Sequence, residues 1–203
     1  MFKKEYGTIV QNKKQGKNSL QSMSVIAPEK HNIEEAIKCP ADSDVNDFIG
    51  YNLCQFLEDI EAFVNFIKPE CEHKESCKSM NAGENFHYQW QDGKQKPYTV
   101  SAVDYCQKLL EWSMQQLADP SIFPEEEGGQ YPKDFIKMVK PMFRRLFRVY
   151  MHIAHNHMEL IKKNGVEEKY FHCVKLYVEF TKKYKLCDDD DFAPIANMLK
   201  NMK

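Results

Sequence analysis

The most regular signal in the chain is a stripe of apolar residues, Ile49, Leu53, Phe56, Ile60, Phe63 and Ile67, recurring at three- and four-residue steps. That spacing keeps the side chains on one helical face and predicts a long amphipathic helix beginning at Asp44 and ended by Pro69. Ser43 or Asp44 is placed to cap it, and its polar side, with Asp44, Asp47, Glu58, Asp59 and Glu61, reads as a solvated acidic face. Ser101 followed by Asp104 resembles a capping box and opens a second helix, traced by Val103, Cys106, Leu110, Met114 and Leu117, that stops before Asp119-Pro120. A third stripe, from Phe135 through Met142, Leu146 and Tyr150 to Ile153, crosses Pro141, whose missing N–H and ring clash predict a kink or a break. After Gly165, the series Val166, Tyr170, Cys173, Tyr177, Phe180 and Tyr184 predicts an aromatic-rich helix. Short helices are expected over residues 32–38 and after Asp191, the latter with Pro194 in its first turn. Alternating Phe86, Tyr88 and Trp90 before Asp92-Gly93 predict a small β-hairpin, and the Pro, Glu and Gly content of residues 119–133 predicts a loop. The pattern as a whole is that of an all-α helical bundle with one small β-hairpin.

Composition narrows this reading. With 203 residues, 42% of them hydrophobic, the chain can bury a substantial core. Lys3, Lys4, Lys13, Lys14 and Lys17 lie among polar residues with little periodicity, so residues 1–30 are expected to be a flexible basic tail and residues 31–203 a single helical domain. Thr8, Ser19, Ser22 and Ser24 are the tail's candidate phosphorylation sites. The net charge of −2 gives no overall attraction to nucleic acid or to a membrane surface. There is no apolar run of membrane-spanning length and no apolar signal stretch at the start, so residence in the cytoplasm or nucleus is expected. Seven cysteines, an odd number without a secretion signal, argue against a disulfide framework and for metal binding or plain burial.

Two chemistries lie within residues 144–157. Arg144 and Arg148 stand one helical turn apart with Arg145 beside them, an arrangement suited to one anion such as a phosphate or carboxylate. His152, His155 and His157 follow, and Cys71 and Cys77 lie far upstream. Two thiolates and two imidazoles would make a closed, structural zinc site tying the two regions together. Plain burial of the cysteines accounts for them equally well. The histidines do not choose themselves: His152 and His155 share a face, His152 and His157 are about 140° apart on a regular helix, and His73 is a further candidate. A zinc hydrolase with Glu159 as base is disfavoured, because no His-Glu-x-x-His arrangement occurs and four protein ligands leave no place for water.

These stretches together carry a family resemblance. Residues 144–157, Cys71 with Cys77 to Gly83, Tyr88-Gln89-Trp90-Gln91-Asp92-Gly93, Leu117-Ala118-Asp119 with Phe123-Pro124, and Phe192-Ala193-Pro194-Ile195 resemble the Mob/phocein proteins, close to their Hippo-pathway co-activator branch. The likeness covers residues 32–200. It implies a Mob-type helical bundle with a structural zinc ion held by Cys71, Cys77, His152 and His157, joining a cysteine loop to a histidine-bearing helix. It implies a phosphopeptide pocket at Arg144, Arg145 and Arg148, and a surface for the basic N-terminal segment of NDR/LATS-type kinases at Asp44, Asp47, Phe48, Asn52, Gln55 and Phe56. The implied function is that of a non-catalytic co-activator or adaptor that joins such a kinase to a phosphorylated upstream kinase or scaffold; the alternative is a phosphopeptide scaffold without kinase activation. A protein of this type is expected in the cytoplasm, the nucleus, or at spindle poles and the cell cortex. Four departures stand out: five residues rather than four between the cysteines, Phe48 for a usual tryptophan, Gln55 for a usual aspartate, and Ala27 near the place of a tail threonine.

Overall fold

The structure, a computed structural model, describes residues 32–125, 129–196 and 198. The expected tail at residues 1–30 lies outside the described residues. The architecture is all-α, as the periodicity predicts. Helix α1 (Ile33–Ala36) is followed by α2 (Val45–Cys71), a 3-10 turn (Glu75–Lys78), α3 (Ala102–Leu117), α4 (Phe135–Asn156), α5 (Met158–Lys163), α6 (Glu167–Lys183) and a 3-10 segment (Asp189–Ile195). No helix among the described residues is long and apolar enough to cross a membrane.

Helix α2 lies against α3 and α4. Asp44 caps it, accepting from the backbone N–H groups of Asn46 and Asp47 at 2.7 and 3.2 Å. Its apolar face meets α4 and α6 in an aromatic core: Phe56 packs edge-on against Tyr177 and Phe180, with ring centroids 4.7 and 5.4 Å away, and Phe63 against Tyr170 at 5.6 Å. The buried phenols keep their hydrogen bonds, Tyr170 donating to the Tyr150 carbonyl and Tyr177 to the Phe143 carbonyl, each at 2.6 Å.

Several elements differ from the sequence reading, each for a local reason. Helix α2 runs two residues past Pro69, and α4 runs unbroken through Pro141. Both prolines lie on the exposed face, where water can satisfy the carbonyl each leaves unbonded one turn earlier. On α3 the buried face is set by Ala102, Tyr105, Leu109 and Ser113 rather than by Val103, Leu110 and Met114, because α3 packs against both α2 and α4. The hairpin is reduced to a single antiparallel bridge, Trp90 and Tyr98 exchanging two backbone hydrogen bonds of 2.9 Å across Asp92-Gly93, with a second bridge between Asn81 and His87. The last helical turn begins at Asp189, ahead of the expected start, because Asp188 and Asp191 cap it reciprocally.

Candidate functional site

Cys71, Cys77, His152 and His157 are brought together although they come from four separate places. Cys71 is the last residue of α2, Cys77 sits in the following 3-10 turn, His152 lies inside α4, and His157 occupies the junction between α4 and α5. The four ligand atoms lie within 4.8 Å of one another, and all four side chains are buried. Nε2 of His152 is 3.7 Å from Cys71 Sγ and 3.5 Å from Cys77 Sγ, and Nε2 of His157 is 3.4 Å from Cys77 Sγ. A tetrahedral zinc ion with ordinary bond lengths would set its sulfur and nitrogen ligands about 3.5 Å apart, close to these three separations, so the donor set suits such an ion.

The junction answers the question left by helical periodicity. His157 has φ −131° and ψ 12°, outside the helical region, so the chain leaves α4 at this residue and turns the ring back toward His152. The Cys-x5-Cys spacing is absorbed because α2 persists to Cys71 and the 3-10 turn at Glu75–Lys78 carries Cys77 inward. His73 is exposed and outside the cluster. His155 points elsewhere, its Nε2 donating to the Pro194 carbonyl at 2.8 Å.

A surrounding layer fixes both imidazoles. Nδ1 of His152 donates to the Asn81 carbonyl at 2.8 Å, and Nδ1 of His157 donates to the Glu70 carboxylate at 3.2 Å, so each Nε2 carries the lone pair that faces the thiols. Burial pushes His152 down to about 4 and lowers His157 as well, which leaves both rings neutral near pH 7. Burial raises the Cys71 thiol, with Cys77 beside it adding to the rise, so a thiolate at Cys71 calls for a cation. Lys74 bridges Glu70, at 3.0 Å, and the carbonyl of Asn156. Glu70, Lys74 and Asn81 have no role in the sequence reading; the one-turn spacing of Glu70 from Lys74 and the place of Asn81 in the stretch from Cys77 to Gly83 were the signals available. Glu159 is exposed on α5, and the Glu70 carboxylate is engaged on the far side of the His157 ring.

The three arginines lie along α4, half-buried, each with its own partners. Arg144 pairs with Asp188 and, through Nε, with Asp191 at 2.9 Å. The Arg145 guanidinium sits between the rings of Trp90 and Trp112, at 4.4 and 4.3 Å, and donates to the Gln91 carbonyl. Arg148 donates to the Tyr105 hydroxyl at 3.0 Å and lies over the Tyr88 ring.

The expected kinase surface is rearranged. Asp44 and Asp47 are exposed, and Tyr131 donates to Asp47 at 2.7 Å, a contact across 84 residues that no pattern in the sequence announced. Phe48 is half-buried against Phe180 and Tyr184, and Asn52 beside it donates to the Phe48 carbonyl. Phe56 is a correction: it is fully buried in the aromatic core, since it belongs to the same apolar stripe as Leu53 and Ile60. Gln55 is also buried. So is Asp59, which the helical pattern placed on the solvated acidic face.

Comparison with known proteins follows the same lines. The sequence profile of the Mob1/phocein family matches residues 26–195. "MOB kinase activator-like 1B" of Arabidopsis thaliana is 35% identical over 173 residues, 84% of this chain and 80% of the relative. "Maintenance of ploidy protein mob1" of Schizosaccharomyces pombe is 36% identical over 170 residues, 83% of this chain and 80% of that protein. "MOB kinase activator-like 1 homolog A" of Dictyostelium discoideum is 32% identical over 173 residues, covering 84% of this chain and 81% of its own length. With an all-α fold, a Cys2His2 cluster joining α2 to the α4–α5 junction, and similarity along most of its length, this chain belongs to the Mob1/phocein family.

Proposed function

We propose that this chain is a non-catalytic kinase co-activator that binds the basic N-terminal regulatory segment of an NDR/LATS-type kinase and docks a phosphothreonine peptide at its arginine cluster. The observation that carries the reading is similarity over more than four fifths of the chain to proteins named kinase activators. In this reading residues 31–203 act as one domain and the protein works in the cytoplasm, with the nucleus, spindle poles and cell cortex as further sites.

The kinase segment would meet the N-terminal end of α2, where the exposed Asp44 and Asp47 attract basic side chains and Phe48 with Asn52 offers an apolar step. Ordering that segment shifts the kinase toward its active conformation, and no covalent step falls to this chain. The phosphate would meet Arg144, Arg145 and Arg148 through charge-assisted hydrogen bonds. Cys71, Cys77, His152 and His157 would hold a zinc ion whose contribution is structural: four protein ligands complete its tetrahedron and pin the end of α2 to α4.

The second reading, a phosphopeptide scaffold without kinase activation, is favoured by the burial of Gln55 and Phe56, which removes two residues from the kinase surface. Affinity purification from the protein's own cells distinguishes the two. Recovery of an NDR/LATS-type kinase with both the wild type and an Arg144→Ala, Arg145→Ala, Arg148→Ala variant, with phosphoproteins lost only from the variant, supports two separate surfaces. Phosphoproteins without any kinase support the scaffold.

A further inference from the structure

We propose that Asp188 and Asp191 set a threshold for anions at the arginine cluster, by holding Arg144 as an intramolecular counter-ion that any incoming anion has to displace, so that a phosphate binds and a single carboxylate does not. The inference rests on the phosphopeptide reading above and specifies which anions that site accepts.

The two acids are fixed in place. The backbone N–H of Asp188 donates to Asp191 Oδ2 at 2.8 Å, and the two side chains complete a reciprocal cap on the 3-10 segment Asp189–Ile195. That segment is seated on α4: Phe192 is buried edge-on against Phe147 at 5.1 Å, and His155 donates to the Pro194 carbonyl. Asp191 faces Arg144 Nε at 2.9 Å, while Asp188 pairs with the same guanidinium and lies 3.4 Å from Lys140 Nζ. The acids therefore meet Arg144 as part of the folded framework.

A glutamate on a passing peptide offers Arg144 the same single charge and two oxygens that Asp188 already supplies. The resident carboxylate competes at the high effective concentration of an intramolecular group, so the exchange gains nothing. Phosphothreonine brings a charge of about −1.5 to −2 and three acceptor oxygens. It can engage Arg144 and also Arg148, which stands one turn further along the same face. Only the phosphate gains more contacts than the acids give up.

The test is fluorescence-anisotropy titration of the full chain with three matched peptides carrying phosphothreonine, glutamate or threonine at one position among neutral residues. Wild type is expected to bind the phosphopeptide and show negligible binding of the glutamate peptide. In Asp188→Asn with Asp191→Asn, which keeps the oxygen acceptors of the cap, both peptides should bind more tightly, the glutamate peptide by about tenfold and the phosphopeptide by at least as much. Asp189→Asn with Asp190→Asn removes the same charge without touching the contacts to Arg144 and should strengthen neither peptide by more than about twofold. Asp188→Asn alone should fall between, and circular dichroism confirms that each variant is folded. No strengthening of either peptide, or the same result from the two double variants, overturns the proposal while leaving the phosphopeptide reading intact. Failure of the wild type to bind the phosphopeptide removes the phosphopeptide reading and this proposal with it.

Discussion

Asp59 is a carboxylate buried where its type is ordinarily solvated. It lies on α2 with only 6% of its surface exposed, and its Oδ2 has no hydrogen-bond partner among the described residues. Burial pushes its carboxyl up to about 7, against the opposing effects of Lys169 and a bond with Cys173. An unfolded aspartate titrates near about 3.9, so the native state takes up a proton between those values. The contribution to stability is complete below the unfolded value and is lost as pH rises through about 7, a difference on the order of 4 kcal/mol. Denaturant titrations from pH 5 to pH 8 should show the wild type losing stability relative to Asp59→Asn. The difference between the two proteins isolates this carboxyl, because the thiol–imidazole cluster is common to both; parallel curves would mean that Asp59 ionises at an ordinary pH. Its burial was not legible in the sequence, where a charged residue beside Glu58 reads as solvated. Helix α2 has neighbours on more than one side, so one apolar stripe does not describe everything it buries.

At the level of elements, the decisive feature is the end of α4 at Asn156. Asn156 donates to the side chain of Asn81 at 3.1 Å, its carbonyl accepts from Lys74, and the chain turns at His157. The loop carrying Asn81 approaches α4 closely at Gly83, which has φ +80°; a Cβ there would lie 2.9 Å from Nδ1 of His155. Gly83→Ala therefore combines left-handed strain with a collision and should cost about 2–3 kcal/mol in thermal or denaturant unfolding. Gly93, at φ +53° with open space around it, supplies the comparison: Gly93→Ala should cost about 1 kcal/mol, the conformational part alone. Equal losses at the two positions would show that the loop yields to His155 without cost. The capping of α2 by Asp44 and of α3 by Ser101 was readable, because a cap depends on residues a few positions apart. The continuity of α4 through Pro141 was not, since it depends on which face of the helix water reaches.

Across the whole molecule, the Cys2His2 cluster ties α2, the 3-10 turn, α4 and the α4–α5 junction at one point, while the aromatic core joins α2, α4 and α6 along their lengths. In the zinc-bound form proposed above, loss of one of the four side chains should therefore release the metal and loosen that end without dissolving the helices. Cys71→Ala and His157→Ala are each expected to abolish zinc in native mass spectrometry and to lower the melting temperature by about 10 °C or more, with helical circular dichroism retained at low temperature. Unchanged metal content in both would show that these residues are not the ligands. The burial of Cys71 and Cys77 could have been guessed from residue type; the choice of His157 over His155 rested on resemblance until the break after α4 supplied its geometry.

By itself the sequence determined the helical class, most helix boundaries and the residue types available for metal and anion chemistry. Each of these follows from spacing within a few turns, where apolar periodicity and capping side chains act over short range. Tertiary structure alone decided which residues meet. It set His157 against Cys77, 80 positions away, placed Asp188 and Asp191 on Arg144, and took Asp59 out of reach of solvent. Those outcomes depend on how helices pack and where a chain turns, and packing is a property of several elements at once.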